Sequence, residues 1–130
     1  MRSAVAALLF VLALTAPIGS SRAGLDLGPS ILPTGSMELI VVEADGCIYC
    51  DIFRRDVLPA YEASEQAKDV PVRFVDVNDI DDEHLKLSAA IDIVPTFLVV
   101  NGKQEIGRIS GYVGPENFFQ SIKYLLASAP

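Results

Sequence analysis

Tryptophan is absent from this 130-residue chain, histidine occurs once and cysteine only twice. With His84 as the sole imidazole and two thiols, the four ligands that a structural zinc site wants are not at hand. Basic residues are scarce as well: 10 Lys and Arg stand against 17 Asp and Glu, a net charge of −7. That balance argues against nucleic acid and against anionic membranes as partners. A basic protein partner would suit it, although acidity also serves solubility alone. The longest apolar run, Ala4 to Ala16, is too short to span a bilayer. No internal repeat is visible, and the length suits one domain.

That apolar run has a different use. Met1-Arg2 is a short positive start, and Ser21-Arg22-Ala23 places small residues where a signal peptidase reads. Residues 1–23 are therefore expected to be a secretory signal peptide cut after Ala23. No cysteine lies at the cleavage point, which speaks against a lipoprotein anchor; an uncleaved anchor is the competing reading. Loss of Arg2 and Arg22 leaves eight basic against seventeen acidic side chains. Residues 24–36, rich in Gly, Pro and Ser, are expected to be a flexible linker, and 37–130 the folded domain. Export to the periplasm puts both thiols in an oxidising compartment, with membrane contact only through the signal peptide and a monomer as the expected state.

The two cysteines lie in Asp45-Gly46-Cys47-Ile48-Tyr49-Cys50, between an apolar run (Leu39-Ile40-Val41-Val42) and a helix-like segment from Asp51. Strand, Cys-x-x-Cys, helix is the context in which that spacing reads as redox chemistry. In a first helical turn, residues three apart share a face, at about the 5.5 Å Cα separation a disulfide prefers. The unpartnered N–H groups and the positive end of the helix dipole favour a thiolate on the first sulfur. Cys47 is the expected nucleophile, and Cys50, one turn in, the resolving thiol. Two other uses compete. A purely structural disulfide would close a loop of about four residues, which constrains the unfolded chain by only roughly 2 kcal/mol. Two thiolates would also suit Cu(I). Apart from that alternative no cofactor is expected beyond the cysteine pair itself.

The remaining pattern reads in order. Residues 37–43 form an apolar, central strand, and 47–68 a long helix that Pro59 kinks or breaks. Residues 71–77 alternate as a second strand. A third helix-like segment over about 83–90, capped by Asp81 or Asp82, carries His84, expected at the surface. Residues 97–100 form a third strand, and Asn101-Gly102 signals a hairpin into 104–110. Pro115 opens a last helix with Phe118, Ile122 and Leu125 along one face. The order β-α-β-α-β-β-α implies an α/β fold with a central mixed sheet: parallel strands joined by crossover helices, then a hairpin and a covering helix.

Cys47-Ile48-Tyr49-Cys50 after the first strand, Ile93-Val94-Pro95-Thr96 before the third, Asn101-Gly102-Lys103 and Gly111 together resemble the thioredoxin superfamily over roughly residues 37–127. The resemblance implies a thioredoxin-like fold and a thiol–disulfide oxidoreductase. It implies that Pro95 is cis and sits beside the cysteines, where composition alone favours trans. It further implies that the backbone of Val94 pairs with an incoming peptide, with Tyr49 as a substrate contact. Three departures stand out. The family's Trp-Cys-Gly-Pro-Cys is replaced, with Gly46 for the Trp and Ile48-Tyr49 for Gly-Pro; a Tyr there is similar to glutaredoxins and periplasmic disulfide isomerases. The family's buried acid falls on Val41, which leaves Glu43 as a possible proton acceptor for Cys50 or as a solvated strand-end glutamate. Nothing before residue 37 matches the family's first strand and helix. The subgroup most similar is the exported thioredoxin-like, so-called regulatory proteins of bacterial sulfur-oxidation gene clusters. That implies reduction of a disulfide or cysteine adduct on an exported partner, fed by a membrane thiol–disulfide electron donor. A disulfide-forming oxidase is the alternative within redox chemistry.

Overall fold

The computed structural model describes residues 35–130. The proposed signal peptide and most of the linker lie outside the described residues. β1 (Met37–Glu43) is buried on both faces because its apolar run is continuous. It lies inside a four-stranded sheet of order β2-β1-β3-β4, with β2 (Val72–Asp76), β3 (Thr96–Asn101) and β4 (Gln104–Ser110). β1 and β2 are parallel. β3 runs antiparallel to β1, with Val41 opposite Phe97, and β4 antiparallel to β3. The expectation that the third strand joins the first two in parallel through a crossover helix is thus corrected, and the sheet is mixed as expected.

Alternation splits the sheet residues into two cores. Leu39, Val41, Phe97 and Val99 point to one face, here face A, and meet Phe53, Tyr61, Phe118 and Ile122. Phe53, Phe97 and Phe118 meet in tilted and edge-to-face contacts with ring centroids 4.7–5.0 Å apart. Ile40, Val42, Val75, Leu98 and Val100 point to face B, where Leu85, Leu87, Ile91 and Val94 cover them.

The long helix expected over 47–68 is three short ones: α1 (Ile48–Asp56), α2 (Leu58–Glu62) and α3 (Gln66–Asp69). Pro59 sits in the first turn of α2. It lacks an N–H and its ring clashes one turn back, so α1 stops ahead of it. Tyr61, fully buried, donates from its hydroxyl to the Val70 carbonyl at 2.7 Å. Burial pushes that phenol up to about 12. α4 (Pro115–Ala127) starts at the proline as expected and buries Phe118 and Ile122 on face A.

The helix expected over 83–90 is not there. A 3-10 turn spans Ile80–Glu83 and ends at His84, whose φ of 53° is left-handed. The chain then runs extended: Lys86 bridges to Gln104, its N–H donating to the Lys103 carbonyl at 2.7 Å. Leu85 and Leu87 both pack on face B, a spacing of two that suits an extended segment and not a helix. Because β3 returns antiparallel to β1, no helical crossover is needed to reach it. The hairpin also differs by one residue. Asn101 pairs with Gln104, so Gly102 and Lys103 form the loop. Gly102 takes φ +60°, as the first loop position of a type II′ turn requires.

Candidate functional site

The redox motif hangs between β1 and α1. Beyond Glu43 the chain turns through Gly46, whose φ is +73°. A Cβ there would meet nothing within 4 Å, so the backbone conformation, and not crowding, favours glycine. A tryptophan in this backbone conformation would be strained.

Cys47 caps α1 in extended conformation, and its Sγ accepts the Cys50 N–H at 3.2 Å. The two cysteines form a disulfide with Cα atoms 5.3 Å apart. Cys47 is half-buried, whereas Cys50 is only 4% exposed. Cys47 is thus partly exposed and its sulfur stands at the N–H end of a nine-residue helix, where a thiolate is stabilised. The second sulfur is shielded behind it.

Each arginine of this helix is matched by a carboxylate, and Asp45 and Asp51 flank the cysteines as well. Arg54 donates to both oxygens of Glu43, at 2.6 and 3.0 Å, and lies 3.5 Å over the Phe74 ring. The Glu43 side chain is 24% exposed and the Arg54 side chain 40%. Glu43 thus ties the end of β1 to α1 as an ion-paired carboxylate. Arg55 pairs with Asp56 at 2.6 Å; the hydrogen bond between them raises the guanidinium and lowers the carboxyl. Both arginines face their own carboxylates, so the helix terminus itself is what favours a Cys47 thiolate.

The second arm of the site is the turn into β3. The Val94–Pro95 peptide is cis. Thr96 Oγ1 donates to the Ile93 carbonyl at 2.6 Å, and the Gly111 N–H donates to the Pro95 carbonyl at 2.9 Å. Pro95 is buried and Val94 half-buried. Among the described residues, no hydrogen bond reaches the N–H or C=O of Val94. Gly111 presses close to Ile93: a Cβ on it would lie 3.4 Å from Ile93 Cδ1.

Of the exposed large apolar side chains among the described residues, Ile48 and Tyr49 lie in the motif and Ile93 before the proline; Val113 precedes α4 and Tyr124 lies on it. Ile93 and Val113 were not foreseen, since a lone aliphatic residue in a loop gives no signal of exposure. His84 lies at the end of the 3-10 turn and is not part of this arrangement. Two concavities, of about 590 and 510 Å³, are lined elsewhere, around Val70, Asn101 and Lys123 and around Ile109, Gln120 and Tyr124. The dithiol instead occupies an open surface, suited to a protein segment more than to an enclosed small molecule. Among the described residues, no group of three or more His, Cys, Asp or Glu side chains gathers for a metal, and no helix is long and apolar enough to cross a membrane.

The thioredoxin-like domain family matches residues 31–126. Periplasmic thioredoxin SoxS from Paracoccus pantotrophus, in its reduced form, is similar in structure with a TM-score of 0.67 and 27% identity, covering 71% of this chain and 97% of its own. A poplar thioredoxin h is similar at a TM-score of 0.51 and 26% identity, covering 71% and 78%. A thioredoxin of Malassezia sympodialis shares the fold at a TM-score of 0.57 and 24% identity, covering 74% and 80%. No curated protein sequence matches the chain. The family match spans most of the chain and the joined cysteines stand at the start of α1, so this protein belongs to the thioredoxin-like domain family and is a thiol–disulfide oxidoreductase.

Proposed function

We propose that the protein is a periplasmic reductase that cleaves disulfides or cysteine adducts on an exported partner, a sulfur-oxidation protein being the favoured class. The observation that carries this reading is the asymmetry of the pair: Cys47 is partly exposed and its Sγ accepts an N–H at a helix start, while Cys50 is buried. The likeness to a periplasmic thioredoxin supports the compartment.

In the reaction, the Cys47 thiolate attacks one partner sulfur. The partner's S–S bond breaks, its second sulfur leaves as a thiolate, and a mixed disulfide forms. Cys50 loses its proton to water and attacks Cys47 Sγ. The partner's first sulfur leaves as a thiolate, and both take up protons. The partner gains two electrons and the dithiol loses two, ending as the Cys47–Cys50 disulfide. A membrane thiol–disulfide donor restores the dithiol. Glu43 is spoken for by Arg54, so the reading gives the Cys50 proton to water. Val94 offers its free backbone groups to the extended partner segment, Pro95 shapes that edge, and Tyr49 supplies an apolar contact. The protein acts as a monomer, and needs no cofactor beyond the cysteine pair.

The reduction potential of the 24–130 protein, equilibrated in glutathione buffers, tests direction. A value near thioredoxin's, about −270 mV, fits a reductase; a value near about −120 mV fits a disulfide-forming oxidant and overturns the reductase reading. Cys50→Ala should stall the mixed disulfide and bring the partner down covalently. A trapped partner of another class than sulfur-oxidation proteins would overturn that part.

A further inference from the structure

The edge that carries Val94 follows a stretch without helix or strand. From Leu85 to Pro95 the chain has a single bridge to β4, yet Val94 must be held still to receive a peptide backbone. The structure supplies a clasp from β4. Glu105 accepts the Ser88 N–H at 2.7 Å and the Ser88 hydroxyl at 2.9 Å. Arg108 donates to the carbonyls of Ala89 at 2.8 Å and Ala90 at 3.1 Å. The two side chains pair with each other through two hydrogen bonds, both 2.7 Å. They are the most enclosed ion pair among the described residues, with Glu105 3% and Arg108 17% exposed.

This clasp depends on a β-bulge. Residues three apart on a regular strand point to opposite faces. In β4 the register breaks: Val99 opposes Gly107 and Val100 opposes Glu105, leaving Ile106 unpaired. The extra residue puts Glu105, opposite Val100, and Arg108, opposite Leu98, on the same face B. Ile106 turns to face A. Gly107 lies there too, where a Cβ would come within 2.6 Å of Leu125 on α4. The bulge thus converts a hairpin strand into a two-pronged holder for the loop on the other face.

We propose that Glu105 and Arg108 are positioning residues for partner recognition. They fix Ser88–Ala90, and the anchored carbonyls of Ile93 and Pro95 fix the other end. Between them Val94 is presented with its backbone groups free. The clasp touches neither cysteine, so it sets how well an extended partner segment is held and leaves the sulfur chemistry alone. This inference rests on the reading that Val94 receives a partner backbone.

Two substrates separate the roles: a peptide disulfide with extended flanks, and a small aromatic disulfide without a backbone. With Arg108→Lys and Glu105→Gln, KM for the peptide should rise about tenfold, the size of one lost contact of about 1.4 kcal/mol. The rate with the small disulfide and the glutathione-buffer potential should stay within about twofold and within error respectively. Ser88→Ala, which removes one hydrogen bond of the clasp and no buried charge, should move peptide KM in the same direction by a smaller factor; it keeps the test alive if the charged variants do not fold. Folded variants with unchanged peptide KM, or with equal losses on both substrates, would overturn the clasp. Absence of reaction with either disulfide in the unaltered protein would instead overturn the reductase reading.

Discussion

The two faces of the sheet perform the same duty by opposite means. Each covers apolar strand residues and each holds one arm of the site at its end. Face A does so with α1, α2 and α4 and with packed rings; Phe53 alone lies near Phe74, Phe97, Tyr112 and Phe118. Face B does so with an irregular segment that packs Leu85, Leu87, Ile91 and Val94 on the strands and is tied down by ions and hydrogen bonds, Glu105 and Arg108 above all. Aromatic packing is indifferent to pH and builds up over many contacts. A polar clasp is directional, concentrated in a few groups, and open to titration. The face that carries the nucleophile is thereby rigid by packing, and the face that presents the partner edge is fixed by a small number of replaceable bonds.

The largest expected effect tests the packed face. Phe53→Ala removes the ring at the centre of face A and should lower stability by about 3–5 kcal/mol, read as a fall in the urea midpoint at constant slope. A loss under about 1 kcal/mol would mean that the aromatic cluster is not what holds α1, and the contrast between the faces would fail.

A middle-sized effect tests the tied face through pH. Arg108 and then the Ser88 hydrogen bonds hold the Glu105 carboxyl down to about 2, despite the cost of burial. Its folded value lies below the usual 4.5, so its contribution is complete above about pH 4.5 and is lost as pH falls towards about 2. That contribution is on the order of 2–3 kcal/mol. Stability measured between pH 5 and pH 2 should fall less steeply in Glu105→Gln than in the unaltered protein. Parallel curves would show that the pair adds no pH-dependent stability.

The smallest effect sharpens the same contrast. His84 ends the 3-10 turn with φ 53°, a conformation that costs a residue with a Cβ and costs glycine little. His84→Gly should raise stability by roughly 0.5 kcal/mol, offset in part by the added freedom of the unfolded chain. A loss on denaturant titration would mean that the imidazole makes a stabilising contact there.

Much of the packed face was legible in the sequence because its signals are local. The continuous run Leu39–Val42, the Cys-x-x-Cys before a helical stripe, Pro115 opening α4 and the spacing of Phe118 and Ile122 each report a period or a cap. Pro59 also announced its break, although the helix it ends is shorter than expected. The tied face was misread as a helix over 83–90. The acidic start Asp81-Asp82-Glu83 invites a cap, and the spacing of two between Leu85 and Leu87 is too short a stretch to outweigh it. Glu105 and Arg108 gave no sign, since their three-residue spacing places them on opposite sides of any regular strand.

By itself, then, the sequence determined the mixed α/β class, the strand–dithiol–helix unit and the pairing of thiols three residues apart, because all of these follow from neighbours along the chain. The tertiary structure alone decided that β3 returns antiparallel to β1, that Glu43 is claimed by Arg54, and that a bulge brings Glu105 and Arg108 to one face. Those outcomes depend on which strands lie side by side and on a register shift of one residue, and neither is encoded in any single stretch of chain.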